Sequence, residues 1–391
     1  MQLIKFFNSD LKIGIMAGGQ LGKMLIQEAS KWDIKTFVLD PDEHCPAGGI
    51  ASVYVKGNFQ DFDDVYNFGR QVDLLTYEIE SINIDALYRL KEEGIKIVPD
   101  PAILKLIQDK GLQKDFYRDN NIPTASYRLY DSRNEILRAI DNGEVKYPFV
   151  QKLRKGGYDG RGVAVIEGKH EIASLLDGAS LIEQKVDIEK EIAIIVARNE
   201  KGQIQSFPTV EMVFDKRANL VDKLVCPSGI PEDLADEAKA IAAKLIGKLK
   251  MAGVLAIEFF IDTNGGVLVN EMAPRPHNSG HHTIESVMTS QFEQHLRAIL
   301  NLPLGSTTLK MPSVMINLLG EKGHDGPVKY EGLDRCLAIE GVNVHLYGKK
   351  ITRPFRKMGH VTIIAKTADD ASSKAMLVKN MLKVISWKKN L

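Results

Sequence analysis

Two glutamates, Glu258 and Glu271, lie in the otherwise apolar stretch GVLAIEFFIDTNGGVLVNEMAP, which predicts a β-hairpin. The dipeptide Asn264-Gly265 at its centre is typical of a two-residue turn, because that turn needs positive φ at both positions. Counting outward from such a turn places Glu258 directly opposite Glu271. The same face of the hairpin would carry Ala256, Phe260, Val267 and Val269.

Two carboxylates at directly opposed strand positions repel each other, because their Cβ atoms are only ~4.5–5.5 Å apart. Either a cation must lie between them or one of them must be protonated. Arg275 or a lysine is one candidate for that cation. A divalent metal is the other, and hard oxygen ligands favour magnesium held together with substrate phosphates. We favour the metal, with Glu258 and Glu271 as its ligands.

The elements around this hairpin indicate an α/β protein. Residues 11–40 predict a βαβ unit, made of the strand LKIGIMAGG, the helix QLGKMLIQEASKW and the strand KTFVLD. Further parallel strands are predicted for DLLTYEIES and GIKIVPD, and a helical pattern for AILKLIQDKGLQKDFYRDNN. A strand-rich central segment follows. From about Met311 short strands succeed one another, and DDASSKAMLVKNMLKVISW predicts a closing helix.

Size and composition narrow the class of protein. A chain of 391 residues is long enough for two or three domains. Its formal net charge is zero, so no overall field attracts nucleic acid or an anionic membrane, and we expect neither as a partner. Three cysteines without CxxC spacing argue against a disulfide framework and a structural zinc site. No apolar run approaches the ~20 residues that span a bilayer, and the opening residues are not a signal peptide. We expect a soluble cytoplasmic enzyme.

The first glycine group, MAGGQLGKM, is compatible with three uses. A dinucleotide fingerprint would need glycine at position 17, where the chain has Ala17, although Asp40 stands where an acid would bind a ribose. A nicotinamide enzyme is therefore one alternative, and a simple tight turn is another. We favour the third use, in which the backbone N–H groups at the start of the helix bind a substrate phosphate.

The second glycine group, QKLRKGGYDGRGV, predicts a flexible cationic flap. Its four glycines are flanked by Lys152, Arg154, Lys155 and Arg161, and backbone N–H groups in such a loop can close over a polyphosphate. It is not a Walker A motif, because no GK[ST] follows. A solvated glycine hairpin is the alternative.

Three further stretches carry polar groups. In SLIEQKVDIEKE, edge backbone groups of residues 183–186 would bind an adenine, and Glu191 would accept from ribose hydroxyls. In APRPHNSGHH, His277 and His281 have the spacing of a zinc pair, but Pro276 and Gly280 argue against the helix that such a pair needs. A small anion such as bicarbonate suits the donors there better. The stretch TRPFRKMGHV forms either a solvated basic loop or part of the site.

The order of these features resembles that of the ATP-grasp enzymes. Within them, the motifs MAGGQLGKM, GGYDGRGV, NEMAPRPHNSGHHT and RKMGHVT resemble the family of 5-(carboxyamino)imidazole ribonucleotide synthetases, the ATPase subunits of phosphoribosylaminoimidazole carboxylase. The resemblance implies a Rossmann-like domain over residues 1–105, ATP-grasp lobes over 106–305 with a flap lobe at about 125–190, and a small β-rich domain over 306–391. It also implies a homodimer.

The activity implied by this resemblance is an ATP-dependent ligation in de novo purine biosynthesis. Bicarbonate and ATP would form carboxyphosphate, which carboxylates 5-aminoimidazole ribonucleotide, with one or two magnesium ions as cofactor. A formate-dependent glycinamide ribonucleotide transferase of the same superfamily is the rival. A non-catalytic nucleotide sensor is also possible.

The resemblance assigns roles residue by residue. ATP contacts fall on Lys110, Lys152, Gly157, Tyr158, Gly160, Gly162, Glu183, Gln184, Lys185, Val186, Glu191 and Asn270. Catalytic roles fall on Asp159, Arg161, Arg275, His277, Asn278 and Lys357. The ribonucleotide would contact Gly19, Gln20, Leu21, Glu78, Tyr158, Asp159, Arg356 and Lys357. Asn270 can reach the site only if a twist or bulge turns it. Where relatives commonly read E-N-x-H, this chain has Phe214, so no histidine contact is expected there.

Overall fold

The computed structural model describes residue 8 and residues 10–157, 162–215 and 220–387. The architecture is mixed α/β, as expected. A parallel sheet comes first, two antiparallel sheets form the central part, and a strand-rich segment ends the chain.

The N-terminal part is a five-stranded parallel sheet with helices on both faces. Its strands are β1 Lys12–Met16, β2 Lys35–Asp40, β3 Val53–Lys56, β4 Leu74–Tyr77 and β5 Lys96–Ile97. Its helices are α1 Gln20–Ser30, α2 Phe62–Gly69 and α3 Ile84–Glu92. The strand order is β3-β2-β1-β4-β5, and α1 packs on one face of β1 while α2 and α3 cover the other. Parallel strands covered on both faces explain the nearly continuous apolar runs. The loop after β1 lies where such sheets bind ligands, at the carboxyl end of the strand where the order reverses.

The stretch with the helical pattern forms two helices, α4 Pro101–Ile107 and α5 Lys110–Asp119. The break has a local cause, because Asp109 caps α5. Its side chain accepts a hydrogen bond from the backbone of Gly111 at 2.8 Å. This cap fixes where Lys110 starts the second helix.

A small antiparallel sheet follows, in the order β6-β9-β7-β8, with helix α6 packed on it. These elements are β6 Tyr127–Tyr130, α6 Arg133–Asp141, β7 Phe149–Leu153, β8 Val163–Ile166 and β9 Ser180–Gln184.

The large sheet has the order β15-β14-β10-β12-β13-β16-β20-β18, with β11 beside β10. Its central part contains β10 Ile188–Arg198, β11 Ile204–Ser206, β12 Val210–Asp215, β13 Leu220–Cys226, β14 Gly253–Asp262 and β15 Val267–Ala273. Its later strands are β16 Ser313–Leu319, β18 Val342–Leu346 and β20 Lys357–Ile364. Because β13 pairs with β16, the sheet continues without a break into the C-terminal segment. The helices beside it are α7 Glu232–Lys248, α8 Thr283–Ser286 and α9 Gln291–Ile299.

The C-terminal segment also carries a three-stranded sheet and two helices. These are β17 Gly326–Glu331, α10 Leu333–Leu337, β19 Ile351–Thr352, α11 Ala368–Met381 and β21 Lys383–Ser386. The predicted closing helix is therefore wrong in its last turn. Val384 is buried in the core of this segment, and its strand pairs with β17 instead of continuing α11.

Two simpler expectations concern the cysteines and the membrane. Cys45, Cys226 and Cys336 are all buried free thiols, which confirms that they form no disulfide framework. Within the described ranges, no helix has the length and apolar character needed to cross a bilayer.

Candidate functional site

The two glutamates of the hairpin lie opposite each other, as predicted, but two compensating irregularities of the strand register produce this arrangement. The turn is one residue longer than expected, so that Ile261 pairs with Val267. A bulge between the pairs of Glu258 and Phe259 then shifts the register back, and Glu258 pairs with Glu271.

The longer turn changes which side chains share a face. The carboxylate of Asp262 accepts from the backbone N–H groups of Asn264 and Gly266, both at 2.8 Å, and Gly265 has φ +80°. Val267 and Val269 consequently join the apolar core beneath the sheet. Placing these two valines on the glutamate face was wrong.

A lysine neutralises one of the two carboxylates. Lys110, the first residue of α5, forms an ion pair with Glu271. This lysine holds the pKa of Glu271 below its ordinary value. Burial, and next the charges of Glu271 and Glu191, raise the pKa of Glu258. Lys110 is thus the nearby cation at Glu271, while burial disfavours the charged form of Glu258.

The carboxylate pair suits a hard divalent cation. Two carboxylates face each other with a cationic group already at one of them. Across the described ranges, no group of three or more His, Cys, Asp and Glu side chains gathers for a metal. Glu258 and Glu271 are the side chains here that could hold such a cation, with oxygen atoms as ligands.

A third carboxylate, that of Glu183, forms ion pairs with two lysines beside the Glu258–Glu271 pair. Lys114 lies 2.5 Å from one of its oxygens and Lys152 lies 2.7 Å from the other. Burial alone would raise the pKa of Glu183, but the charges of Lys152 and Lys114 hold it below its ordinary value. Lys152 also donates to the side-chain oxygen of Asn270 at 2.8 Å. The bulge that Asn270 required is therefore present. Lys114, Lys152 and Asn270 line a cleft between α5, β7 and β15, together with Lys110 and Glu271.

The expected adenine contacts need correction. Glu183 is not on a sheet edge, because β9 lies between β6 and β7 and pairs with both. The backbone of Gln184 is likewise bonded to Ser126, at 3.0 Å. Lys185 and Val186 follow the end of β9, and their contact with an adenine stays a prediction. Glu191 lies in β10, and burial raises its pKa to about 7.

The glycine flap joins β7 to β8, and its residues 158–161 lie outside the described part of the chain. The assignments to Tyr158, Asp159, Gly160 and Arg161 therefore have no structural counterpart here. Gly157 and Gly162 border this segment, and Gly162 has φ +75°.

Arg154, expected to be a flap cation, instead fixes the start of α5. Its guanidinium bonds both oxygens of Asp109, at 2.9 and 2.8 Å. Its carbonyl accepts from the backbone of Lys110 at 2.9 Å. The residue thus positions the helix turn that presents Lys110.

The loop after β15 brings the expected anion-binding side chains to the same region. His277 Nε2 lies 3.8 Å from Glu258 Oε1. Arg275 pairs with Glu80 at 2.7 Å. Asn278 and Asn317 exchange two hydrogen bonds, of 2.9 and 3.3 Å.

The zinc alternative for this loop finds no support. Residues Asn278–Gly280 form a single 3-10 turn and not the regular helix that a zinc pair at His277 and His281 would need. The buried ring of His281 stacks on Phe292.

The loop after β1 differs from the prediction in how its amides are used. The N–H groups of Gly19 and Gly22 donate to the Glu78 carboxylate, and that of Gly18 donates to Asp40 at 2.7 Å. These amides are therefore engaged, contrary to the phosphate-binding hypothesis, whereas those of Gln20 and Leu21 remain candidates. Burial raises the pKa of Glu78 to about 7.

The C-terminal segment contributes a basic loop that contacts α1. Lys357 begins β20, and its carbonyl accepts from Lys349 at 2.8 Å. Lys23 of α1 donates to the carbonyl of Leu346 at 2.9 Å. Arg356 donates to Ile351 within the same segment, at 2.6 Å.

Several residues near the site were not predicted, namely Lys23, Lys114 and Lys349. The lysine of QLGKM, one turn after the glycine loop, was a signal for the first. Phe214, at the expected histidine position, packs against an apolar cluster that includes Met212 and Leu224.

The chain matches three family models in succession. They are the ribonucleotide synthetase preATP-grasp domain at residues 11–108, the ATP-grasp domain at 115–292, and the phosphoribosylaminoimidazole carboxylase C-terminal domain at 313–374. The N5-carboxyaminoimidazole ribonucleotide synthase of Bacillus subtilis is 37% identical over 363 residues, which cover 92% of each chain. The chain belongs to the N5-carboxyaminoimidazole ribonucleotide synthase family of ATP-dependent ligases.

Solved structures of N5-carboxyaminoimidazole ribonucleotide synthases share this fold. The synthetase from Thermotoga maritima is 44% identical, with a TM-score of 0.89, and the match covers 96% of this chain and all of that one. The synthase from Aspergillus clavatus, solved with ADP and 5-aminoimidazole ribonucleotide, is 30% identical with a TM-score of 0.87, over 96% of this chain and 99% of that one. Plant and fungal relatives named phosphoribosylaminoimidazole carboxylase are longer, and the chain spans about two thirds of their length, for example 66% for Vigna aconitifolia.

Proposed function

We infer that this family member carboxylates 5-aminoimidazole ribonucleotide with bicarbonate at the expense of ATP. The products are 5-(carboxyamino)imidazole ribonucleotide, ADP and phosphate. The observation that carries the inference is one cleft that contains two lysines for phosphates, Lys110 and Lys152, beside the opposed carboxylates of Glu258 and Glu271.

ATP would lie with its phosphates between these lysines and the carboxylate pair. Glu258 and Glu271 would hold magnesium, which offsets the charge of the transferring phosphoryl group. Lys110 and Lys152 would turn to the phosphates, and Asn270 would keep Lys152 in place. Of the segment 183–186 that the resemblance assigns to the adenine, Lys185 and Val186 follow the end of β9 and would make the contacts, and Glu191 would contact the ribose. The carboxylate form of Glu191 would accept from ribose hydroxyls.

Bicarbonate attack on the γ-phosphate would give carboxyphosphate, which water destroys. Closure of the flap between β7 and β8 would exclude water, and this need explains a glycine-rich connection. Arg275, His277 and Asn278 would bind the anion. The exocyclic amine of the aminoimidazole would then form a bond to the carboxyl carbon, as the C–O bond to phosphate breaks and inorganic phosphate leaves. Asp159 is the first candidate to accept the amine proton, and His277 is the second.

The ribonucleotide would lie between the loop after β1 and the C-terminal basic loop. Gln20 and Leu21 begin α1 directly after the first of these loops, Glu78 accepts from two of its amides, and Lys357 begins β20 after the second. Lys23 of α1 donates to the carbonyl of Leu346, the last residue of β18, so the helix after the first loop contacts the C-terminal segment.

We also propose, from the resemblance, that the chain forms a homodimer. Its three buried free cysteines are consistent with the proposed reducing, cytosolic compartment. Light scattering of the purified chain tests the dimer.

The test is ADP release in the presence of each candidate acceptor. We expect release that depends on magnesium, bicarbonate and 5-aminoimidazole ribonucleotide together. Release that depends on formate and glycinamide ribonucleotide would establish the transferase instead. The double variant Glu258→Gln/Glu271→Gln should lose ATP turnover while its circular dichroism stays unchanged. Normal turnover in this variant would contradict the metal assignment.

A further inference from the structure

Three histidine rings stack at the junction between the central part and the C-terminal segment. His345 of β18 and His360 of β20 lie 4.4 Å apart between ring centroids, with their planes 8° from parallel. His281, which follows the loop of His277 and Asn278, contacts His360 with 4.7 Å between ring centroids and with the two planes tilted by 34°. The stack therefore joins the anion-binding loop to two strands of the C-terminal segment.

Packing alone does not explain these rings. His281 and His360 are completely buried, and their Nε2 atoms have no hydrogen-bond partner among the residues that the structure describes. Leaving buried polar atoms without a partner costs stability, whereas a phenylalanine would fill similar space without that cost. The two buried rings therefore call for an explanation beyond apolar packing.

Specific hydrogen bonds fix the rings from both sides. On the central side, the Gln291 amide lies 3.3 Å from His281 Nδ1 and bonds both the N–H and the carbonyl of His277, at 2.9 and 2.7 Å. On the C-terminal side, the Tyr347 hydroxyl lies 3.1 Å from His360 Nδ1. His345 lies 2.7 Å from a carboxylate oxygen of Glu285.

Each end of this chain of contacts is next to a group that the proposed reaction uses. Gln291 holds the backbone of His277 at one end. At the other end Tyr347 is bonded through its backbone to Met358, the neighbour of Lys357, at 3.0 Å. Two residues after Tyr347, Lys349 donates to the carbonyl of Lys357. Burial, and then charges that include His277 and Lys357, lower the pKa of His281, so its ring lies in the field of both groups.

We propose that the histidine stack, with Gln291 and Tyr347, positions the basic loop of Lys349 and Lys357 against the loop of His277 and Asn278. The ribonucleotide substrate would then meet groups from both sides in one fixed arrangement. This inference rests on the proposed function, because it requires that a nucleotide substrate binds between the two loops. Its members are positioning residues.

The test separates the two substrates kinetically. Tyr347→Phe removes one hydroxyl, and His360→Phe keeps a ring but removes the nitrogen that the hydroxyl contacts. Each variant should raise the KM for 5-aminoimidazole ribonucleotide about fivefold, as expected for one lost buried hydrogen bond, and leave the KM for ATP within about twofold. The double variant should be no worse than His360→Phe, because both changes remove the same contact. His324→Asn, at a histidine that bonds Ser386 outside the stack, is the control.

An unchanged KM for the ribonucleotide in both variants, or an equal rise in both KM values, would overturn the proposal. Circular dichroism checks folding, and Tyr347→Phe, the smaller change, decides the outcome if His360→Phe does not fold. Wild-type protein that releases no ADP with the ribonucleotide would instead refute the proposed function, before any variant is measured.

Discussion

Replacing Lys110 with methionine should raise the affinity for a divalent metal and lower the affinity for ATP. In the structure the lysine is the cation at Glu271, so a metal that arrives alone must compete with it. In the proposed complex, nucleotide phosphates would give the lysine a new partner and release the carboxylate. The variant should therefore bind a divalent metal more tightly without nucleotide, and bind ATP less tightly.

The sizes of these effects follow from the exposure of the pair. The side chains of Lys110 and Glu271 are 19% and 44% exposed, so the ion pair is neither fully buried nor a free surface pair. Its loss should cost about 1 kcal/mol of unfolding free energy, and should tighten metal binding about fivefold. A charged hydrogen bond to phosphate contributes about 1.5–3 kcal/mol, so ATP affinity should fall about ten- to a hundredfold.

Manganese is a suitable probe, because its free and bound forms are counted by electron paramagnetic resonance. Titrations without nucleotide give the metal affinity, calorimetry gives the ATP affinity, and urea unfolding gives stability. Lys105→Met, at an exposed lysine on α4, makes the same chemical change away from the pair. Manganese binding that weakens or stays constant in Lys110→Met would refute the idea that the lysine competes for the carboxylate.

Three further changes test the supporting contacts. Glu183→Gln leaves its two buried lysine partners without their anion, so the free energy of unfolding measured in urea should fall by about 3 kcal/mol. The control, Glu167→Gln, breaks a surface pair and should cost less than about 1 kcal/mol. Arg154→Met loosens the first turn of α5, so ATP should bind several-fold more weakly by calorimetry, with secondary structure unchanged by circular dichroism. Burial raises the pKa of Glu191 to about 7, so its accepting carboxylate form grows as pH rises through 7. ATP affinity measured from pH 6 to 8 should therefore rise in the wild type, and Glu191→Gln should remove that rise; an unchanged slope would exclude this residue as the ribose contact.

The opposed glutamates could be predicted from the sequence, but the longer turn and the bulge that bring them opposite each other could not. Alternation and an Asn-Gly turn gave the correct pair, but only because an extra turn residue and the bulge at Asn270 cancel each other. The turn length depends on the Asp262 side chain, which bonds two backbone N–H groups of the turn. A count of strand periodicity contains no information about such a side-chain bond.

The lysines and the backbone amides of the site show a second limit of prediction from local sequence patterns. Lys114 lies in a polar helical stretch, where a lysine normally faces solvent, and only the packing of α5 on β9 brings it to Glu183. The amides of the first glycine loop looked available for a phosphate. Glu78, from the end of another strand, occupies two of them. Both results depend on contacts between segments far apart in the chain, which local patterns do not specify.

The charges of the cleft balance one another within the protein, and the proposed ligand would carry charges of both signs. Lys110 is balanced by Glu271, while Lys114 and Lys152 share Glu183. Burial disfavours a further charge on Glu258. A metal–nucleotide complex brings a cation for the carboxylates and anions for the lysines at the same time, so each group exchanges one partner for another. A metal alone, or a nucleotide alone, would satisfy only half of these groups. The site should consequently favour the complex over either component.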